Sequence, residues 1–408
     1  MSTIKDRFIR YIKIDTTSDE HSSTVPSTKI QLDLARVLKQ ELEEMKLEDV
    51  ELSEYGYVYA KLASNVDYPC KTVGFIAHMD TAPDFNGTNV NPRIVEKWDG
   101  LPIALNEHME LSIEKFSGMS AVKGDDLIVT DGTTLLGADD KAGIAIIMDT
   151  IAYLVEHPEI KHGDIMVGFT PDEEIGRGAD YFDVKGFNAE FAFTLDGGMA
   201  NGLCYETFNA YKADVKITGE SIHPGGAKGK MINAISIGYE FDQLLPKMMR
   251  PEYTEGREGF NHLYRIEGNV DTAHLEYIIR NHDKTLLQEQ INDFENAKNF
   301  INTKYKKELV EVSTVLQYQN MAELLQHEIE ILNIAKEAIR KQGLDIEIGT
   351  ARGGTDGSRL TFMGLPCPNI GTGGMNAHGP YECVSINQMH TVQQIMLNIV
   401  DGVKEIKK

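Results

Sequence analysis

The chain has 408 residues, 41% of them hydrophobic and 25% charged, which is the make-up of a soluble globular protein long enough for two separate cores. A formal charge of −23 argues against nucleic acid and against anionic membrane surfaces as partners. Its four cysteines, Cys70, Cys204, Cys367 and Cys383, show no CxxC spacing and point to a reducing compartment. The N-terminus has no apolar core of signal-peptide length and no run is long enough to span a membrane, so a cytoplasmic protein is expected.

In chain order, residues 1–14 read as a short helix. Ser27 reads as the N-cap of a longer one whose apolar face is Leu34, Val37, Leu38, Leu42 and Met45. Val58 to Ala63 and Thr72 to Ala77 read as strands, the second apolar enough to be buried on both faces, and it ends in His78-Met79-Asp80. A loop-rich stretch from Pro83 to about Asp125 precedes Leu135-Leu136-Gly137-Ala138-Asp139-Asp140-Lys141. There a helix begins, with Ile144, Ile147, Ile151 and Leu154 at helical spacing. Two more buried strands, Ile165 to Thr170 and Phe191 to Leu195, end in Pro171-Asp172-Glu173-Glu174 and Asp196-Gly197-Gly198. Alternating helices and apolar strands indicate an α/β fold with a mostly parallel central sheet.

From about Phe208 the order becomes β-α-β-β-α-β, that of a ferredoxin-like α+β unit. Residues 208–320 therefore read as a domain inserted into one formed by 1–207 and 321–408. The α/β pattern then resumes with a helix over Ala322 to Lys341, a short strand over Asp345 to Gly349, the loop Arg352-Gly353-Gly354-Thr355-Asp356-Gly357 and a closing helix over Asn387 to Lys404.

Polar residues collect just beyond the carboxyl ends of the strands, where open α/β sheets place their ligands. They are His78, Asp80, Asp139 or Asp140, Glu173, Glu174, Asp196 and, near the C-terminus, His378. Taken singly, an Asp pair before a helix is a cap, an isolated His is a loop residue and Asp-Gly-Gly is a turn. Together they form a set of imidazole and carboxylate ligands without sulfur, which suits Zn²⁺ best, with Mn²⁺ and Co²⁺ as alternates. Two His and three or more carboxylates exceed the needs of one tetrahedral zinc and match two metals sharing a carboxylate. A further carboxylate outside the ligand set would then carry the proton from water to the leaving group.

Through the runs His78-Met79-Asp80-Thr81-Ala82-Pro83-Asp84, Leu135 to Gly143, Phe169 to Glu174, Arg352 to Gly357 and Gly364-Leu365-Pro366-Cys367-Pro368-Asn369, the chain resembles the peptidase T family of tripeptide aminopeptidases. That family sits in a wider group of two-zinc peptidases and deacylases that includes glutamate carboxypeptidases, aminoacylases and succinyl-diaminopimelate desuccinylase. The resemblance covers essentially the whole chain. It implies a metal-dependent aminopeptidase that removes the N-terminal residue of tripeptides by means of a zinc-bridged hydroxide. It further implies two Zn²⁺ per subunit, one held by His78 and Asp196, the other by Glu174 and His378, with Asp139 bridging them and a cis peptide following it. Glu173 would be the general base and Asp80 the carboxylate that orients His78.

The inserted domain would be a lid and dimerisation domain, giving a homodimer. From it His223 would reach the reaction centre to stabilise the oxyanion, and Arg280 would bind substrate. Arg352, in its Gly-rich loop, would grip a substrate carboxylate. Shared metal motifs leave a related deacylase or carboxypeptidase as the alternative activity. A non-catalytic metal-binding protein on the same fold would be expected to lack Glu173 or a ligand, and this sequence lacks neither.

Overall fold

The computed structural model describes residues 3–407 and divides into two compact units. The first runs to Tyr205 and takes in Glu323–Gly349 and the chain from Thr355 onward; the second comprises Glu206–Ala322 with Thr350–Gly354. Arg352, expected in the first domain, therefore clusters with the second unit.

The first unit is built on an eight-stranded sheet. Its spatial order is Glu48–Leu52, Val58–Leu62, Ile165–Thr170, Val73–His78, Phe191–Leu195, Asn369–Ile370, Gly202–Cys204 and Glu347–Gly349. Val73–His78 pairs in parallel with both Ile165–Thr170 and Phe191–Leu195, and all three are buried at every residue. That is the setting their unbroken apolar runs require, since a parallel sheet is covered on both faces. The helix Ala138–Glu156 packs against this sheet and is apolar almost all round, as a core helix must be. The stretch expected to be loop-rich contains the short strands Arg93–Val95, Ile103–Ala104 and Glu110–Leu111, organised around buried Trp98.

Two helices differ from expectation. The helix Gln31–Glu44 has Ile30 at its N-cap and no side-chain cap. Ser27 is occupied elsewhere: its amide and hydroxyl both donate to the buried carboxylate of Asp172. The helix expected over 322–341 is two, Ala322–Leu325 and Ile329–Arg340. His327 and Glu328 turn back to the carbonyls of Leu324 and Leu325, so the first segment closes before the second starts.

In the second unit the spatial strand order is Phe260–Gly268, Thr272–Asn281, Asn209–Thr218 and Val310–Tyr318, antiparallel throughout. The helices Ala234–Leu244 and Lys284–Tyr305 pack on this sheet through Ile237, Phe241, Phe294 and Ile301, against Val215, Leu275, Tyr277 and Ile279. This is the ferredoxin-like arrangement, with a core of its own. Among the described residues no helix is long and apolar enough to cross a membrane.

Candidate metal centre

Three neighbouring strands of the first unit end side by side, so the residues just past them converge. His78 closes its strand with Nδ1 3.1 Å from the carbonyl oxygen of Asp80 and 3.4 Å from the Asp80 carboxylate. Nε2 faces the opposite way, 2.9 Å from Asp139 Oδ1 and 3.9 Å from Asp196 Oδ1. His378 repeats this pattern: its Nδ1 lies 3.5 Å from Asp84, and its Nε2 lies 2.8 Å from Glu174 Oε2 and 3.5 Å from Asp139 Oδ2. The carboxylate of Asp139 thus spans the two imidazoles, one oxygen toward each. Behind each ring stands a further carboxylate, the arrangement that fixes tautomer and orientation in metal-ligating histidines.

The adjacent acids Asp139 and Asp140 divide their work. The Asp139–Asp140 peptide is cis, and both residues depart from helical geometry although the surrounding segment is helical. Asp140, fully buried, accepts the amide hydrogens of His78 at 3.3 Å and Gly143 at 3.2 Å. Distance alone leaves Asp140 a possible ligand, since two trios each bring one ligand-type atom per residue to within 4.8 Å: His78, Asp139 and Glu174, and His78, Asp140 and Asp196. Both Asp140 oxygens are already engaged by backbone amides, whereas Asp139 offers one to each histidine.

The Asp80 carboxylate also receives the amide hydrogens of Glu173 at 3.0 Å and Glu174 at 3.2 Å, which fixes the single 3₁₀ turn carrying the glutamate pair. Asp356 arrives from the loop after Gly354 and accepts from Thr170 Oγ1 at 2.6 Å.

Too many acids crowd this spot for the cations present. Burial, followed by repulsion from neighbouring carboxylates, pushes Glu173, Asp140 and Asp196 well above the usual carboxylate range and Glu174 up to about 7. Asp139 is the exception: despite its burial, hydrogen bonds from His378 and His78 hold it down. In turn, hydrogen bonds to Asp139 and Glu174 raise His378 to about 11. Oε1 of Glu174 is buried with no hydrogen-bond partner, which is costly for a carboxylate oxygen unless something cationic completes it. Two divalent cations fit this donor set of imidazoles and carboxylates.

A profile of peptidase family M20/M25/M40 matches residues 130–402. The chain belongs to this family. Among its M20/M25/M40 relatives, peptidase T of Clostridium perfringens (strain SM101) is 50% identical over 400 residues, covering 98% of both chains. Peptidase T of Clostridium botulinum (strain Loch Maree) is 50% identical over 403 residues, covering 98% of this chain and 99% of the relative. Two solved structures share the fold. One is the aminopeptidase PepT of Bacillus cereus, with TM-score 0.76, 21% identity and 98% of each chain covered. The other is a dinuclear metal-binding peptidase of Bacillus subtilis, with TM-score 0.64, 15% identity, and 98% of this chain and 99% of that one covered.

The first unit brings together His78, Asp80, Asp139, Glu173, Glu174, Asp196 and His378. The remaining three candidates lie in the second unit. His223 is exposed, with Nδ1 accepting the Gly225 amide hydrogen at 3.1 Å. Arg280 donates to the carbonyls of Tyr211 and Ile279 and lies over the ring of Tyr318. Arg352 sits between Phe208 and Phe260 and donates to the carbonyls of Gly256 and Glu258 and to Thr254 Oγ1. Much of its guanidinium is committed to that loop, which leaves less of its fork for a substrate than the sequence suggested.

Sequence reading passed over Asp84 and Glu382. Asp84 stands inside a run that was singled out, yet nothing local pairs it with His378. Glu382 follows His378 by four positions and looks like a surface acid, but it is buried.

Proposed function

We propose that this chain is a tripeptide aminopeptidase, a metal-dependent hydrolase that removes the N-terminal residue of short peptides. The observation that carries the reading is the Asp139 carboxylate spanning His78 and His378, in a chain half identical along its length to peptidase T. In this reading His78 and Asp196 would hold one Zn²⁺ and Glu174 and His378 the other, with Asp139 as the ligand they would share. Zinc, when bound, supplies Lewis-acid polarisation of the scissile carbonyl and makes hydroxide available near neutral pH.

The chain's own residues do the rest. Glu173 is the general base: it takes the proton from the attacking water and delivers it to the departing amine nitrogen. Asp80 keeps Glu173 and His78 in register through the contacts described above. From the second unit, His223 stabilises the developing oxyanion, Arg280 binds substrate and Arg352 contacts the substrate carboxylate with what remains of its fork. That unit acts as a lid and as the interface of a homodimer, and the enzyme works on peptides in the cytoplasm.

The test is a substrate series with chelated protein to which Zn²⁺ is returned: di-, tri- and tetrapeptides beside N-acyl amino acids. Release of the N-terminal residue, fastest from tripeptides and only with metal, is expected. Turnover of the acyl substrates alone would sink the reading in favour of a deacylase.

A further inference from the structure

Glu382 reaches back across the first unit to the turn that precedes the helix Ala138–Glu156. Its Oε2 accepts the amide hydrogens of Leu136 at 2.7 Å and Gly137 at 2.8 Å, and its Oε1 accepts that of Asp139 at 2.9 Å. The side chain is almost wholly buried. Burying a carboxylate costs several kcal/mol, roughly, unless its lone pairs are met, and three charge-assisted bonds to backbone amides are what meets them here. A neutral capping residue can satisfy one or two amides of such a turn without that cost. What a carboxylate adds is two acceptor oxygens at a fixed spacing, so that one side chain fixes both the turn and the amide of Asp139 itself.

The other end of the strap matters equally. Glu382 shares its loop with His378, four residues earlier, and His378 and Asp139 are the pair whose Nε2 and Oδ2 lie 3.5 Å apart. One side chain therefore ties the backbone that projects the shared carboxylate to the loop that projects the second imidazole.

We propose that Glu382 is a positioning residue for a two-cation centre: through the amides of Leu136, Gly137 and Asp139 it fixes the spacing between Asp139 and His378, so that one carboxylate can serve both cation sites. This inference rests on the metal reading given above. It concerns the second site most, since His78 is held independently by Asp80.

The experiment uses the full chain as wild type, Glu382→Gln and Glu382→Asp, each stripped with chelator and titrated with Co²⁺. Bound metal is followed by elemental analysis and by the visible absorption of Co²⁺, and folding of the stripped proteins by circular dichroism. Wild type is expected to bind two ions. Glu382→Gln, with an amide NH₂ opposing one of the backbone N–H groups, should keep the first ion, hold the second about 10–100-fold more weakly and show an altered Co²⁺ spectrum. Glu382→Asp keeps the charge with a shorter reach and should fall between the two. Unchanged affinity and spectrum in Glu382→Gln would overturn the proposal, as would failure of both stripped variants to fold, which would make the strap a general structural element. A wild type that binds fewer than two ions would instead remove the metal reading on which the inference stands.

Discussion

One carboxylate oxygen of Asp80 lies 3.4 Å from Nδ1 of His78 while the same carboxylate receives the amide hydrogens of Glu173 and Glu174. A single buried anion therefore contacts the His78 imidazole and sets the placement of the glutamate pair on the neighbouring strand end. Asp80→Ala removes the carboxylate from both and leaves Nδ1 of His78 only the carbonyl oxygen of residue 80, at 3.1 Å. Metal affinity is expected to fall by about 10–100-fold, as when outer partners of metal-bound histidines are lost. At saturating metal, kcat should fall as well, because the turn bearing Glu173 loses its anchor. Metal titration beside steady-state kinetics separates the two effects; a variant with wild-type affinity and wild-type kcat would show that Asp80 serves neither.

Glu173 is expected to behave differently. It holds no cation in the proposed scheme, so Glu173→Ala should bind two ions like the wild type and lose kcat by roughly 10²–10⁴-fold, the usual contribution of a positioned general base. KM should move far less than kcat. The decisive comparison is metal content against turnover in the same preparation. Two bound ions with wild-type tripeptide hydrolysis would assign proton transfer to another residue.

Why the clustering of these acids and histidines could be read from sequence while the contacts of Asp84 and Glu382 could not is a matter of contact range. His78, Glu173 and Asp196 follow runs that are apolar at nearly every position, and such runs are central parallel strands whose carboxyl ends face one edge. The ferredoxin-like unit was legible for a similar reason, since its strand and helix periodicities are local. Ser27 and Glu382 were not. The partner of Ser27 is Asp172, 145 positions away, and Glu382 reaches Asp139 across 243 positions. The carbonyls of Gly256 and Glu258 that Arg352 meets were equally out of sight, since they lie 96 and 94 positions away.

The electrostatics of the centre make metal uptake a proton-releasing event. Asp139 and Glu174 raise His378 to about 11, so at pH 7 the metal-free protein carries a proton on this imidazole. A cation needs the neutral ring and must expel that proton. Because the folded group has a raised pKa, its proton is retained below about 11 and competition with the metal eases as pH rises toward that value. Apparent affinity should therefore increase with pH across the neutral range. Calorimetric titrations in buffers of different ionisation enthalpy will report the protons released per ion; an observed heat independent of buffer would refute this.

Gly143 gives a test that reads stability and the centre together. It lies in the second turn of the helix Ala138–Glu156, where a Gly-to-Ala change ordinarily stabilises by about 1 kcal/mol. A Cβ there would run into the carbonyl oxygen of Leu195 and into both carboxylate oxygens of Asp140, at 2.6 and 2.8 Å. Leu195 is backbone in a central strand and immediately precedes Asp196, so relief of the overlap must shift either a proposed ligand or the acid that holds the His78 amide. Gly143→Ala is accordingly expected to destabilise the metal-free protein by about 1–3 kcal/mol, the usual cost of overpacking, and to weaken metal binding in parallel. Denaturant unfolding of the stripped protein and a metal titration measure the two effects. A Gly143→Ala chain more stable than wild type would mean that the helix can withdraw from the end of the strand, and that the spacing of Asp139 and Asp196 does not depend on this contact.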